Sequence, residues 1–172
     1  MKQGDKIPYV NFKVRSLGEF IDTNTDTYFK DKKVILFGLP GAFTPTCSNQ
    51  QLPGFDKLAD VFKEHGIDDI YCISVNDSFV MNAWADNKKI QNVKFIPDGN
   101  GEFTKQVDML ADMSIVGFGM RSLRYAAIIN NGIVEVLFEE PKNGADPYGV
   151  SSPENVLKYL QSINQGNNIW KQ

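Results

Sequence analysis

Short apolar alternation opens the chain: Val10, Phe12 and Val14 are separated by polar neighbours, and Ser16-Leu17-Gly18-Glu19 is a turn into a second short stretch. The pattern predicts a small antiparallel hairpin within residues 3–27. Val34-Ile35-Leu36-Phe37 follows as an unbroken apolar run reaching Leu39, the signature of a central strand covered on both faces. Phe55, Leu58, Ala59 and Phe62 then recur at helical spacing, with a break expected near Pro53 and a stop at Gly66. Ile70 to Val75 predicts a second central strand, and Asn76-Asp77-Ser78 caps a helix running to Asn87. A further apolar run, Val93 to Ile96, ends in the turn Pro97-Asp98-Gly99. Beyond it the pattern predicts a short helix over Glu102 to Leu110 and a flexible Gly117-Phe118-Gly119 approach to Arg124. Strands Tyr125 to Ile129 and Ile133 to Phe138 are joined by Asn130-Asn131-Gly132, a strong hairpin signal. Pro153 to Ile163 closes the chain as a helix capped by Ser152, with Val156, Leu157 and Leu160 facing inward. Strands alternating with helices, then a hairpin and a helix, give an α/β fold: a mixed sheet covered on both faces. No repeat or composition break divides it, so residues 1–172 read as one domain.

Composition removes several function classes. A net charge of −3 leaves no basic surface for nucleic acid, and no apolar run reaches membrane-spanning length, so neither partner is expected. No signal-peptide pattern opens the chain. Two cysteines, Cys47 and Cys72, are too few for a disulfide framework and point to a reducing, intracellular compartment. With His65 as the single histidine, a cysteine hydrolase and most zinc sites are disfavoured, and no metal or cofactor is expected. His65 itself reads as a helix-end residue meeting exposed carbonyls.

The stretch Phe37 to Ser48, FGLPGAFTPTCS, carries the candidate chemistry. Thr44 is a good N-cap, Pro45 stands where the first helical residue belongs, and Cys47 falls in the first turn. A helix N-terminus presents unsatisfied N–H groups and partial positive charge, both of which favour a thiolate over a thiol. The Thr44 hydroxyl can donate and accept toward that turn. A C-x-x-C oxidoreductase is disfavoured, because the residue three after Cys47 is Gln50. Cys72, mid-strand in I-Y-C-I-S-V, reads as an inert buried thiol.

The string P-G-A-F-T-P-T-C-S, with Pro40, Thr44 and Cys47 in a P-x-x-x-T-x-x-C frame, resembles the active-site signature of peroxiredoxins. The A-F, the V-N-D at Val75 to Asp77 and the R-Y-A at Arg124 to Ala126 resemble the type-five, plant type II-like subfamily. The likeness runs from Ile7 to Leu160; Asn and Lys richness fits a low-GC genome and extends it to apicomplexan antioxidant proteins. It implies a thioredoxin-like fold with an N-terminal β-hairpin extension, and reduction of hydrogen peroxide and organic hydroperoxides by Cys47, which becomes a sulfenic acid. It assigns Thr44 a hydrogen bond to peroxide and thiolate, Arg124 the cation beside both, and Pro40 the cover that limits solvent. Arg121 is the runner-up cation or else a structural or interface residue, and Leu39, Phe43 and Phe118 read equally as an apolar collar around the pocket or as core packing. Atypical two-Cys members carry a resolving cysteine before the last helix. Tyr148-Gly149-Val150-Ser151 has none, so an external thiol is expected: glutathione with glutaredoxin, then thioredoxin. The resemblance also implies a homodimer, and a plastid or mitochondrion if a targeting segment has been removed, otherwise the cytoplasm. The alternative function is a peroxide-sensing redox relay or binding module on the same fold. The peroxidase reading fails if the sulfur is walled off from both solvent and Arg124.

Overall fold

Val34, Ile35, Leu36 and Phe37 have no exposed surface, because the strand they form lies at the centre of a five-stranded sheet. The computed structural model describes residues 1–142 and 147–169. In chain order its elements are β1 (Asn11–Ser16), β2 (Glu19–Asn24), α1 (Thr25–Phe29), β3 (Lys33–Gly38), α2 (Leu52–Lys57), α3 (Ala59–Glu64), β4 (Asp69–Ser74) and α4 (Ser78–Asn87). There follow β5 (Lys94–Pro97), α5 (Glu102–Gln106), β6 (Leu110–Asp112), β7 (Met120–Ser122), β8 (Tyr125–Asn130), β9 (Ile133–Glu139) and α6 (Pro153–Ile169). The sheet order is β5-β4-β3-β8-β9. β3, β4 and β5 run parallel, whereas β8 is antiparallel to both β3 and β9. The sheet is therefore mixed, as the sequence pattern predicts.

Alternation along β3 divides the core. Ile35 and Phe37 face one layer with Phe55, Phe62, Trp84 and Leu160 from α2, α3, α4 and α6. Val34 and Leu36 face the other with Phe12 of β1, Phe29 of α1 and Phe103 of α5. Phe37 and Phe55 stack with ring centroids 4.3 Å apart, which docks α2 on the sheet. Gly38 is required where it stands, because a Cβ there would lie 2.3 Å from the Tyr125 ring across the β3–β8 pair.

The predicted hairpins form at β1–β2 and β8–β9, and Ser152 caps α6 by accepting from Asn155 N at 3.2 Å. Other expectations need correction. The flexible approach to Arg124 is instead part of a third hairpin, β6 paired antiparallel with β7. The helix from Glu102 ends at Gln106, because Asp108 takes a left-handed φ of 60° and Leu110 joins β6. At Pro53 there is no break. A π-helical turn over Cys47–Gln51 runs straight into α2, and the interruption comes at Leu58. Proline needs relief from the carbonyl four residues earlier, and the wider π turn immediately ahead of it is one known way to supply that.

Candidate active site

The loop leaving β3 is built under strain. Phe43 holds φ at 64°, a left-handed value that bulky residues seldom adopt and that persists only where neighbours enforce it. Asn76, at the end of β4, accepts from Ala42 N at 3.0 Å and from the Ser74 hydroxyl. Arg121 Nη1 donates to the Pro40 carbonyl at 3.4 Å. Gly41 lies so close to that guanidinium that a Cβ there would sit 2.6 Å from Nη1. The Thr44 hydroxyl donates to the Gly41 carbonyl at 2.8 Å. A carbonyl only accepts, so the Thr44 hydrogen is committed and the hydroxyl retains acceptor capacity. Among the described residues it makes no capping bond to the first turn, a departure from the N-cap expectation.

Ser48 N donates to the Thr44 carbonyl at 2.9 Å, so Cys47 does lie in the first turn of the helix. That turn is anchored to α4 by Trp84 Nε1, which donates to Ser48 Oγ at 2.9 Å in a buried contact. Arg124, immediately before β8, is 3% exposed. Its Nη1 donates to Cys47 Sγ at 3.3 Å and to Gln51 Oε1 at 2.7 Å. The guanidinium lies over the Tyr148 ring, 6.0 Å from its centroid, and burial holds the Tyr148 hydroxyl neutral by pushing its pKa up to about 12. Pro40, Thr44 and Arg124 line one cavity of about 540 Å³. Cys47 has no exposed surface and does not line it. Of the two conditions set against the peroxidase reading, solvent is excluded and Arg124 is present.

Arg121 holds backbone: besides Pro40 it donates from Nε to the Phe118 carbonyl at 3.0 Å. Of the expected collar, Phe118 alone lines the cavity; Leu39 is buried in the core and Phe43 faces solvent. The apolar wall comes instead from Ala111, Met113, Ile115 and Val116 of the β6–β7 hairpin. Cys72 is fully buried on β4, level with Phe37 on β3 and Phe95 on β5. Burial pushes its thiol well up, Cys47 adds to the rise, and Arg124 pulls it down only in part, so Cys72 stays protonated at neutral pH. Among the described residues no group of His, Cys, Asp and Glu is arranged to hold a metal ion.

Sequence reasoning missed a buried polar chain next to the sulfur. Gln51, fully buried, donates from Nε2 to the Ser151 carbonyl at 3.3 Å and to Ser151 Oγ at 3.4 Å. Glu140 Oε1 accepts from Gly149 N at 2.6 Å, and from Ser151 N and Ser151 Oγ at 2.9 Å each. The available signal was spacing: Gln51 follows Cys47 by four residues and so shares its helix face.

This arrangement has relatives. A family model described as Redoxin matches residues 2–157. A peroxiredoxin of Rhizobium etli is 54% identical over 175 residues, covering 94% of this chain and 98% of that protein. The chain belongs to the peroxiredoxin family. The hybrid peroxiredoxin hyPrx5 of Haemophilus influenzae is 50% identical, over 95% of this chain and 68% of that protein. Among solved structures, the Plasmodium falciparum antioxidant protein, a 1-Cys peroxiredoxin, superposes with a TM-score of 0.90 at 40% identity, over 94% and 99% of the two chains. This peroxiredoxin thus has the thioredoxin-like fold with a central mixed sheet and flanking helices. It is a thiol-dependent peroxidase, an oxidoreductase that takes a peroxide and a thiol reductant. Among the described residues no helix is long and apolar enough to cross a membrane.

Proposed function

We propose that Cys47 is the nucleophile of this peroxidase and works by a one-Cys mechanism. The observation that carries the reading is the 3.3 Å contact from Arg124 Nη1 to Cys47 Sγ. A permanent guanidinium charge at that distance stabilises a thiolate, and its several donors let it hold a peroxide oxygen as well. The thiolate attacks the terminal oxygen of the hydroperoxide. A sulfur–oxygen bond forms as the oxygen–oxygen bond breaks, and the departing hydroxide or alkoxide takes a proton from solvent. Cys47 is left as a sulfenic acid. Thr44, with its hydrogen on Gly41, offers an acceptor to the O–H of the incoming peroxide, while Pro40 covers the turn. Because the sulfur has no exposed surface, substrate reaches it only when the residues around Thr44 and Arg124 move apart.

The cavity's apolar wall favours organic hydroperoxides alongside hydrogen peroxide. An external thiol resolves the sulfenic acid, because the other cysteine of the chain, Cys72, is sealed in the sheet. A glutathione thiolate attacks the sulfenic sulfur, a sulfur–sulfur bond forms as the sulfur–oxygen bond breaks, and the departing hydroxide takes a proton to leave as water; glutaredoxin reduces the mixed disulfide by exchange, and thioredoxin is the second candidate. The protein works inside the cell, where both cysteines stay free, and residues 1–172 act as one domain; residues 143–146 and 170–172 of that span lie outside the described residues. Ile115 and Val116, 97% and 62% exposed at the cavity rim, support a homodimer formed over this face, which a single-chain mass in sedimentation would refute.

Stopped-flow peroxide consumption with glutathione and glutaredoxin, compared with thioredoxin, tests the mechanism. Cys47→Ser is expected to abolish turnover and Cys72→Ser to leave most of it. Loss of activity in both variants would overturn the one-Cys assignment.

A further inference from the structure

Arg124 reaches the Cys47 sulfur from a buried position just before β8. Among the described residues, the Cys47 sulfur at 3.3 Å and Gln51 Oε1 at 2.7 Å meet the same nitrogen. The shorter contact is to a residue the proposed mechanism leaves idle. We propose that Gln51 is a positioning residue that holds Arg124 Nη1 against the Cys47 sulfur, and that Ser151 and Glu140 set the orientation of its amide.

The polarity of each link allows one arrangement. Arg124 can only donate, so the face of Gln51 toward it must be the carbonyl oxygen. The opposite face meets the Ser151 carbonyl, which can only accept, so the amide NH₂ must lie there. Ser151 in turn sends both its N–H and its hydroxyl hydrogen to Glu140 Oε1. Its oxygen is then left to accept from Gln51 Nε2. Gln51 and Ser151 have no exposed surface, and Arg124 and Glu140 are 3% and 7% exposed. Inside a protein such a chain is worth more than it would be in water, and an unpaired member costs more.

Neutrality of the amide is part of its use. A carboxylate at position 51 would accept the same hydrogen bond but place a negative charge against the guanidinium and near the sulfur. It would compete for Arg124 and oppose ionisation of the thiol. Glutamine holds the guanidinium nitrogen without adding a charge of its own beside the sulfur. The negative charge in the chain stays on Glu140, where the donors of Gly149 and Ser151 meet it.

The inference rests on Arg124 acting on the Cys47 sulfur, and its test is chosen to fail separately from the peroxidase reading. Three full-length variants, Gln51→Met, Gln51→Glu and Ser151→Ala, are titrated by ultraviolet thiolate absorbance and assayed for peroxide consumption across pH. Chemical unfolding shows whether each retains the fold. Gln51→Met, which keeps volume and loses all three side-chain hydrogen bonds, is expected to lower the second-order rate with peroxide about tenfold. Gln51→Glu is expected to move the thiolate midpoint and the pH–rate profile upward together, a shift that a packing role would not produce. Ser151→Ala should change the rate in the same direction as Gln51→Met and by less. Folded Gln51→Glu protein with the original thiolate midpoint would overturn the proposal, as would unchanged rates in both Gln51→Met and Ser151→Ala. If Gln51→Met does not fold, the other two variants decide. A wild-type protein that consumes no peroxide, yet whose thiolate midpoint still rises in Gln51→Glu, would refute the peroxidase reading and uphold the positioning role.

Discussion

Arg124 is the residue on which the site turns, and its environment shows why charge alone is not enough. One nitrogen reaches both sulfur and Gln51, and the guanidinium also lies over the Tyr148 ring. Lysine keeps the charge but has neither the planar fork nor the stacking face. Arg124→Lys is therefore expected to lower kcat/KM for peroxide about tenfold to a hundredfold, measured by stopped flow under limiting substrate; a rate within twofold of the parent would show that a point charge suffices. The sequence pointed to Cys47, Thr44 and Pro40 because they share one short motif, and to Arg124 only through the family resemblance of its R-Y-A segment. Gln51 left a trace in its four-residue spacing from Cys47, but Ser151 and Glu140 were not legible. Their significance lies in contacts across the fold between polar residues that carry no local pattern.

At the scale of elements, the turn that bears Cys47 depends on its neighbours more than on its own propensity. It runs through a π turn into α2, and α2 is tied to the loop between α4 and β5 by one carboxylate. Asp56 Oδ1 accepts from Gln91 N at 3.2 Å, Asn92 N at 2.7 Å and Val93 N at 3.0 Å. Asp56→Ala strands these amides and is expected to destabilise the protein by about 1–3 kcal/mol, read as a lower urea midpoint. An unchanged midpoint would mean that water replaces the carboxylate. Elements with a strong local signal were legible in the sequence: β3 by its unbroken apolar run, α4 by its cap and α6 by its cap and apolar spacing. β6 and β7 were not, because Leu-Ala-Asp and Met-Arg-Ser are too short to show a period of two, and they become strands only by pairing with each other. That hairpin nonetheless supplies most of the apolar wall of the site.

Across the molecule, site and stabilising charges lie at opposite ends of the sheet. Pro40 and Asn76 follow the C-terminal ends of β3 and β4, whereas Asp69 begins β4 and meets Lys32 at 3.2 Å and Lys94 at 2.7 Å, residues at the starts of its two neighbours. Burial alone would raise the Asp69 carboxyl, but the hydrogen bonds and charges of Lys94 and Lys32 outweigh it and hold the group below its ordinary 3.8. A depressed acid binds fewer protons in the folded state than in the unfolded one. Its stabilisation is therefore present above pH 3.8 and is lost as pH falls through the folded value. Solvent screening keeps the gain to about 1 kcal/mol or less. The difference in thermal midpoint between the parent protein and Asp69→Asn should be widest near neutrality and close below pH 3.8. A gap that is constant with pH would assign the effect to packing.

Periodicity, caps and one motif were enough to determine a mixed α/β sheet, the helix turn that carries a cysteine, and the family's chemistry, because each is encoded in residues adjacent along the chain. Tertiary structure alone decided that the sulfur is covered and that a buried amide lies against the cation beside it. Those outcomes depend on where distant segments come to lie against one another, and on hydrogen-bond polarity in a site from which water is excluded, neither of which has a spacing to read.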